Sequence, residues 1–448
     1  MPRRRREEHG TGDPVGSSAR RLPILVAGVV TVTMMLLAVA VMRGDGDEGP
    51  PTEKTRGSRP PGSGPAEVAS ASSTSTSSSS SSTSTSTTSP RATTPATTTT
   101  APATTAPACR PEAAVRAWPL RRRLASLVMV GVDPSGPAGA TEAVAGHGVG
   151  GVFVGGDDTR LLASGALIAL RAASPTGLLV AVDDEGGRVQ RLEQLDGDVP
   201  SARQMAATMT PAEVTGLARR RARVMNANGV TMDVAPVVDV SDQPDNTVIG
   251  DRSWSGDPDV VATFATAYAD GLLAGRVVPV LKHFPGHGSA DGDSHKGAAR
   301  TPPLDDLRAR DLVPYRKMLG PLDGRAAVML GHLDVPGLTE AGLPSSLSPA
   351  TVRLLRRDFG FDGVIMTDDL SGMAAVTSRF GANEAAERAL AAGVDVVLLG
   401  NADLGGLLDH LEAAVAGGGL REEAIDASVV RTTRLKGIDA CTVVLGGA

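Results

Sequence analysis

The segment KHFPGHGSADGDSH, from Lys282 to His295, carries three of the seven histidines in the 448-residue chain. Within it, Asp293 lies two residues before His295, a spacing at which the carboxylate can accept the Nδ1–H of the imidazole. Such a pair suits general acid/base catalysis, because imidazole titrates near neutral pH. The glycines and prolines between Pro285 and Gly292 predict a mobile loop rather than a helix or strand.

A metal site is the competing use of these histidines, with His283, His287 and His295 as ligands. Their spacing of four and then eight residues matches no zinc-binding pattern, and a segment rich in proline and glycine is a poor rigid template. A polar surface loop without chemistry is a third interpretation. We favour the catalytic loop, and we expect neither a metal ion nor a cofactor.

A second chemical candidate is the pair Asp368–Asp369 in VIMTDDLSGM, where an apolar run ends in two acids. Neighbouring side chains of a strand point to opposite sides, so at most one of the two faces a site at the end of the strand. That carboxylate would act as a nucleophile or a base. The alternative role of a helix N-cap fits Asp369 better than Asp368.

Eight short apolar runs separate segments that have apolar residues at three- and four-residue spacing. The runs are 124–132, 148–156, 177–185, 229–240, 277–284, 326–333, 363–370 and 394–400, and examples of the helical segments are 211–228 and 257–275. Nearly continuous apolar strands that alternate with helices predict a parallel sheet covered on both faces. Eight such units indicate an α/β fold, a closed (β/α)8 TIM-type barrel. An open doubly wound sheet fits less well, because no glycine-rich fingerprint follows the first strand.

Polar residues follow most of these runs, at the ends that would share one mouth of the barrel. They are Asp183, Glu185, Asp239, Lys282, His283, His332, Asp368 and Asp369. Any one of them would be ordinary, since every strand must pass into a polar loop. Because five or six strands end in this way, and barrel enzymes build their sites at the C-terminal ends of the strands, the pattern indicates an active site.

A carboxylate opposite a general acid/base is the machinery of a retaining glycosidase, in which a covalent glycosyl intermediate forms. A histidine in place of the usual second carboxylate must be protonated in the first step and neutral in the second. Charged side chains such as Asp183, Arg252 and Lys282 can hydrogen-bond to sugar hydroxyls. The chain has only two Trp and two Tyr, so a short pocket for one terminal sugar fits better than a long aromatic platform.

The N-terminal quarter of the chain predicts a different organisation. Residues 1–21 form a basic cytoplasmic tail, and residues 22–42 carry no charge over 21 positions, enough for a transmembrane signal anchor. Arginines before this segment and acids after it predict an extracytoplasmic position for the rest of the chain. A cleaved signal peptide, and hence secretion, is the alternative. Residues 43–108, rich in Ser, Thr and Pro, predict a disordered linker to a catalytic barrel at 109–448.

The two cysteines and the net charge narrow the choice of compartment and partner. Cys109 and Cys441 lie near the two ends of the predicted barrel, and outside the cell they could form a disulfide, with free thiols as the alternative. The net charge of −6 argues against a nucleic-acid-binding protein. We expect a monomer.

The motifs resemble those of the β-N-acetylhexosaminidases of the third glycoside hydrolase family, in its single-domain bacterial branch. The resemblance rests on VDDEGGRVQR (182–191), NTVIGDRSW (246–254), KHFPGHG…DSH (282–295) and VIMTDDLSGM (364–373). It implies that Asp368 is the nucleophile, His295 the acid/base and Asp293 its orienting partner. It also implies sugar-binding roles for five residues, which are Asp183, Arg191, Arg252, Lys282 and His283.

The resemblance implies an exo-acting enzyme that removes terminal N-acetylglucosamine from peptidoglycan fragments. Together with the anchor predicted at residues 22–42, it predicts an enzyme held at a bacterial cell membrane. One departure is Asp184, where the family usually has Gln or His, so the chain gains a negative charge near the expected sugar site. Three alternatives remain open. Phosphate could attack in place of water, which would make the protein a phosphorylase; a β-glucosidase could use the same site; and a stalked cell-wall-binding protein would be no enzyme at all. The intact Asp368, Asp293 and His295 argue against the last.

Overall fold

The computed structural model describes residues 109–445, and the predicted tail, membrane segment and linker lie outside these residues. Eight parallel strands close into a barrel, in which each strand pairs with its neighbours in chain order and the last pairs with the first. They are β1 Val128–Val132, β2 Gly151–Val154, β3 Leu179–Val182, β4 Met232–Asp233, β5 Val278–Phe284, β6 Ala327–Leu330, β7 Val364–Asp369 and β8 Val396–Leu399. Each predicted run contains one of these strands, and the predicted barrel is confirmed.

Helices precede, connect and follow the strands. They are α1 Pro111–Arg116, α2 Leu120–Ala125, α3 Ala138–Thr141, α4 Arg160–Ala163, α5 Ala166–Ala173, α6 Glu193–Asp196, α7 Ala202–Thr208, α8 Pro211–Ala227, α9 Pro258–Ala274, α10 Leu304–Ala309, α11 Val313–Leu322, α12 Pro349–Arg353, α13 Ala374–Thr377, α14 Ala382–Ala392, α15 Leu404–Ala416 and α16 Glu422–Leu435. Two short strands, Ala299–Arg300 and Leu333–Asp334, pair outside the barrel.

Helix α8 shows how local sequence sets the boundaries of an element. The side chain of Thr210 accepts the backbone N–H of Glu213, and the carboxylate of Glu213 accepts the backbone N–H of Thr210. Pro211 occupies the first helical position, where its missing N–H costs nothing. Beyond the last turn, Gly229 takes a φ of 86°, which ends the helix and starts the approach to β4.

Apolar side chains form one layer inside the barrel and another between the barrel and its helices. The inner layer contains four methionines, each at most 1% exposed, and these are Met129, Met232, Met329 and Met366. Burial of each such side chain contributes roughly 1.5–3 kcal/mol relative to its exposure to water. The interior is therefore a packed core and not a channel, so ligands can bind only at the ends of the barrel.

A disulfide joins Cys109 to Cys441, with the two Cα atoms 6.2 Å apart. It ties the start of the described chain to the short 3-10 turn Ala440–Thr442 that follows α16. In the chain-entropy model a bond that closes so long a loop stabilises the fold by about 6 kcal/mol. None of the helices between residues 109 and 445 is long and apolar enough to span a membrane.

Candidate active site

The C-terminal ends of the barrel strands surround a cavity of about 240 Å³. Six of the predicted site residues line it, namely Asp183, Arg252, Lys282, His283, His295 and Asp368. Apolar side chains complete its wall, among them Phe153, Met329 and Leu398. The other two predicted residues, Arg191 and Asp293, stand behind the wall, and each is hydrogen-bonded to a residue that lines it.

Glu185 is the anion that organises the cationic side of this cavity. Its carboxylate lies 2.6 Å from the Nζ of Lys282 and accepts two hydrogen bonds, of 2.7 and 2.8 Å, from the guanidinium of Arg252. Burial opposes ionisation, but Arg252 and Lys282 outweigh it and lower the pKa of Glu185. The strand-end pattern predicts Glu185 at the mouth without a role; its role is to hold two cations in place.

Asp183 and the adjacent Asp184 face in different directions at the end of β3. Asp183 lines the cavity and accepts two hydrogen bonds from Arg191, of 2.7 and 3.1 Å. Asp184 is only 1% exposed, lies 2.6 Å from Arg221 and accepts the backbone N–H of Arg191. The expectation that Asp184 adds charge at the sugar site is therefore wrong, because a buried guanidinium neutralises it inside the protein.

Asp239 holds the histidine that follows Lys282. Its Oδ2 lies 2.6 Å from Nδ1 of His283, and its Oδ1 accepts the backbone N–H of His287 at 2.6 Å. Burial raises the pKa of Asp239, but His283 and these hydrogen bonds outweigh burial and lower it, so the group is a carboxylate. The Nδ1 of His283 therefore donates, and its Nε2 makes no hydrogen bond to the residues between 109 and 445.

Asp368 and Asp369, the last two residues of β7, both line the cavity, and the carboxylate of Asp369 also accepts backbone hydrogen bonds. Burial raises the pKa of Asp368, but the nearby His283 and His332 and the backbone N–H of Asp369 outweigh burial and lower it. Asp369 accepts the N–H of Gly400 at 2.7 Å and both the N–H and the hydroxyl of Ser371 at 2.8 Å. It caps no helix, because α13 begins only at Ala374; it ties the turn after β7 to the end of β8.

The strand-end pattern places His332 at the mouth without a role. In the structure His332 supports the turn that follows β7. Its Nε2 donates to the carbonyl oxygen of Asp369 at 2.9 Å, and its Nδ1 lies 2.7 Å from the hydroxyl of Ser346. Burial lowers the pKa of His332, although the nearby Asp368 and Asp369 oppose this shift. The ring thus holds the backbone that carries Asp368.

The predicted Asp–His pair lies on an exposed turn above the cavity. Nδ1 of His295 is 2.9 Å from Oδ1 of Asp293, and the side chain of His295 is 61% exposed. Burial raises the pKa of Asp293, but hydrogen bonds from Lys296 and His295 outweigh burial and lower it to about 2. Lys296, which the sequence motifs do not single out, lies 3.0 Å from the second oxygen of Asp293.

The base of this loop differs from the expected mobile segment. His287 is 3% exposed, and the residues around it from Pro285 to Gly288 are also buried. The Nε2 of His287 lies 3.1 Å from the hydroxyl of Ser294, whose carbonyl accepts the N–H of Ala375 at 3.0 Å. Gly288 packs so closely on the carbonyl of Val240 that any Cβ would collide with it. Glycine here serves close packing, and the exposed turn begins only at Asp291.

The histidines of the metal alternative do not converge. His283 and His287 are bound to Asp239, whereas His295 lies on the exposed turn with Asp293. Among residues 109–445, no three His, Cys, Asp or Glu side chains are arranged to hold a metal ion.

A closed barrel whose mouth presents carboxylates, histidines and held cations around a sugar-sized cavity is the architecture of a glycoside hydrolase. The chain belongs to glycosyl hydrolase family 3: the model of the family's N-terminal domain matches residues 119–435. The resemblance of the four motifs is therefore confirmed, and the protein is an enzyme of the glycoside hydrolase class.

Named relatives agree with this assignment. The chain is 50% identical over 325 residues to the Beta-hexosaminidase LpqI of Mycobacterium tuberculosis, a match that covers 71% of this chain and 82% of LpqI. A solved structure of that protein matches with a TM-score of 0.70 at 48% identity, over 74% of this chain and 97% of the other. A family 3 beta-N-acetylglucosaminidase from Paenibacillus sp. matches with a TM-score of 0.67 at 32% identity, over 74% and 64% of the two chains.

Proposed function

We propose that the protein is a retaining exo-β-N-acetylglucosaminidase that hydrolyses terminal, non-reducing N-acetylglucosamine from peptidoglycan-derived fragments. The observation that carries the proposal is the cavity itself, where Asp368 and His295 face the same small volume as Arg252 and Lys282. The names of the relatives, beta-hexosaminidase and beta-N-acetylglucosaminidase, support the choice of sugar.

In the first step, the carboxylate of Asp368 attacks the anomeric carbon, and a covalent glycosyl-aspartate forms. The bond to the glycosidic oxygen breaks at the same time, and protonated His295 gives its Nε2 proton to that oxygen. The lowered pKa of Asp368 keeps the nucleophile ionised at neutral pH. Asp293 accepts the Nδ1–H of His295 and so orients Nε2.

In the second step, neutral His295 takes a proton from water, and the oxygen of that water attacks the anomeric carbon from the face that the leaving group occupied. The bond to Asp368 breaks, the carboxylate is restored, and the sugar leaves with its original configuration. Because Asp293 remains a carboxylate, with a pKa of about 2, it stabilises the imidazolium that forms in this step.

Substrate binding falls to the residues that surround Asp368. Lys282 and Arg252 are held by Glu185, and Asp183 is held by Arg191, so their charges need no rearrangement when a sugar enters. His283 offers its Nε2, since Asp239 engages Nδ1. A cavity of about 240 Å³ accommodates one sugar ring, which favours removal of terminal residues over cleavage within a chain.

The proposal extends to where the enzyme works. Residues 22–42 would anchor it in a bacterial cell membrane, residues 43–108 would act as a tether, and the barrel would lie outside the cytoplasm as a monomer. The disulfide between Cys109 and Cys441 supports an oxidising compartment. The alternative is secretion after cleavage of the N-terminal segment.

The experiment is to incubate the purified protein with the aryl β-glycosides of N-acetylglucosamine and of glucose, with and without phosphate. We expect release only from the acetamido sugar, with free β-N-acetylglucosamine as the first product and no activity in Asp368→Ala. A sugar 1-phosphate in the phosphate arm would instead identify a phosphorylase, and release from the glucoside a β-glucosidase. Inactivity of the folded protein on both sugars would favour the stalked wall-binding protein.

A further inference from the structure

A second cavity, of about 530 Å³ and called the lower cavity below, lies at the opposite end of the barrel from the active site. Leu179 and Val278, the first residues of β3 and β5, line it, together with Thr231 just before β4. It is therefore built at the N-terminal ends of the strands, where barrel enzymes do not place their catalytic residues.

Three basic side chains line this cavity, and none of them has a carboxylate partner among residues 109–445. They are Arg171, Arg276 and Lys436. Arg171 makes one hydrogen bond, of 3.4 Å to the carbonyl of Gly229, and Lys436 makes one, of 3.2 Å to the carbonyl of Gly177. A guanidinium has five donors and an ammonium three, so most of their hydrogen-bonding capacity is left for a ligand.

The electrostatics of these side chains would favour the binding of an anion. Burial, together with the nearby Arg122, lowers the pKa of Lys436 to about 7, and burial also lowers the pKa of Arg171. At the mouth, by contrast, the cations Arg252 and Lys282 share the carboxylate of Glu185. An anion in the lower cavity would pair with Arg171 and Arg276 in the same way and would favour the protonated form of Lys436.

Arg276 occupies a position that favours glycine. Its φ of 65° lies in the left-handed region, at the end of α9, where the N–H of Val277 bonds to the carbonyl of Leu272 and that of Arg276 to the carbonyl of Leu273. Glycine is the usual residue at this point of such a helix end, because a side chain is strained there. An arginine at this point therefore indicates a use for its side chain.

The wall also has an apolar part. Ile168 lines the cavity and is 46% exposed, one of only two large apolar side chains between residues 109 and 445 that are exposed. Leu435 and Ile438 lie on either side of Lys436 in the same wall. A ligand that binds to the three basic side chains would therefore also contact apolar side chains of the same wall.

We propose that this lower cavity is a second binding site, which takes the phosphate group of a small anionic ligand between Arg171, Arg276 and Lys436. Guanidinium groups match phosphate oxygens in pairs, and the lysine adds a point charge. A free phosphate and the headgroup of a phospholipid share this chemistry. The apolar wall would favour the second source, whose chains could contact Ile168.

The test is a binding titration of the full chain with inorganic phosphate, and separately with dihexanoyl phosphatidylglycerol below its micelle concentration, at constant ionic strength. The informative variant is Arg276→Gly, which removes the charge and relieves the backbone. It should weaken binding about tenfold, the effect of losing one charged hydrogen bond. Its melting temperature should be unchanged or higher, and its glycosidase activity unchanged.

The control is Arg220→Ala, which removes the same charge from an exposed position on α8. It should bind both probes as the wild type does. Tighter binding of the lipid than of phosphate would identify a headgroup site, and equal or weaker binding a site for free phosphate. Failure of both probes to saturate, or equal affinity of the wild type and Arg276→Gly, would overturn the proposal, because phosphate held at the active-site mouth does not depend on Arg276.

Discussion

The proposed active site has two sides that are built in opposite ways. The sugar side is formed by Glu185, Arg252 and Lys282, and the loop side by Asp293, His295 and Lys296. On the sugar side, charges are buried and paired: the side chain of Lys282 is 4% exposed and lies against Glu185, whose side chain is 3% exposed. On the loop side, the side chain of His295 is 61% exposed, and among residues 109–445 its one hydrogen-bond partner is Asp293, which also contacts the exposed Lys296. The side chains of the sugar side are fixed by burial and ion pairing, whereas those of the loop side are held only by hydrogen bonds at the protein surface.

This difference matches what the proposed two-step mechanism requires of each side. A sugar ring that always binds in one place is best met by groups that are already oriented, because ordering them during binding would reduce affinity. The acid/base must serve two steps with different partners, a leaving group and then water, and both must pass beside it. His295 lies on an exposed turn, and the contact between His287 and Ser294 fixes this turn to the buried segment before it. This arrangement leaves room for the leaving group to depart and for water to enter.

The largest expected effect comes from the nucleophile. Asp368→Ala should lower kcat by at least about 10⁴-fold, as the loss of a nucleophile does in other covalent enzymes. Azide should then restore turnover of an activated aryl glycoside and give the α-glycosyl azide, because azide enters from the face of Asp368.

The matched control is the neighbouring acid. Asp369→Asn should lower the melting temperature, since Asp369 holds Ser371 and Gly400, and it should show no rescue by azide. A β-configured azide product from Asp368→Ala would show that another residue is the nucleophile.

The second effect lies on the loop side and depends on the leaving group. His295→Ala should lower kcat/KM by about 10²- to 10⁴-fold for a sugar leaving group, which needs a proton. For 2,4-dinitrophenol, which leaves as the anion, the loss should be much smaller. Equal losses for the two substrates would remove His295 from the role of acid. Asp293→Asn should follow the same pattern with smaller losses, because an amide oxygen can still accept the Nδ1–H.

The barrel and the position of Asp368 at its mouth could be predicted from the sequence, and the pairing of charges could not. Apolar runs alternate with helical segments, and parallel strands bring their C-terminal ends to one mouth, so Asp368 and Lys282 follow from local pattern alone. Glu185, Arg252 and Lys282 meet only in three dimensions, across 67 residues in the case of Glu185 and Arg252. The local sequence does not predict which carboxylate will pair with a given cation.

Two errors have the same origin. The direction of Asp184 depends on how the chain leaves β3, and only the position of Arg221 on α8 reveals that the side chain is buried. The segment from Pro285 to Gly288 has the composition of a flexible loop, yet Asp239 and Val240 pack against it. Glycine and proline rule out regular structure, but they do not distinguish a mobile loop from a buried one.

The third effect lies on the sugar side. Glu185→Gln keeps the shape but leaves Lys282 and Arg252 without a carboxylate, which should cost about 3–5 kcal/mol of stability, as for other broken buried pairs. With one charged contact to the sugar disturbed, kcat/KM should fall by about 10- to 100-fold. The measurements are thermal unfolding and steady-state kinetics, with the exposed Glu340→Gln as a control that should change neither.

The pH dependence of this effect has a definite sign. The folded-state pKa of Glu185 is lowered from 4.5. The stability that its carboxylate gives the fold is therefore complete above pH 4.5, and it is lost progressively as the pH falls from there toward the lowered pKa. The gap in stability between the wild type and Glu185→Gln should therefore close in acid. A gap that stayed constant from pH 7 to pH 3 would mean that the charge of Glu185 contributes nothing to the fold.

The smallest effect tests whether the loop side depends on its surface contacts. Lys296→Met removes a hydrogen bond that lowers the pKa of Asp293, so this pKa should rise from about 2 toward the ordinary 3.8. Asp293 stays ionised at pH 7 in both proteins, and the rate there should change by less than about twofold, as expected for an exposed ion pair. A carboxyl NMR titration measures the first quantity and kcat/KM the second. Lys317→Met, which breaks the exposed pair with Asp259, is the matched control and should leave the pKa of Asp293 unchanged. A large loss of activity at pH 7 in Lys296→Met alone would show that the turn is held as tightly as the sugar side, and the contrast between the two sides would not stand.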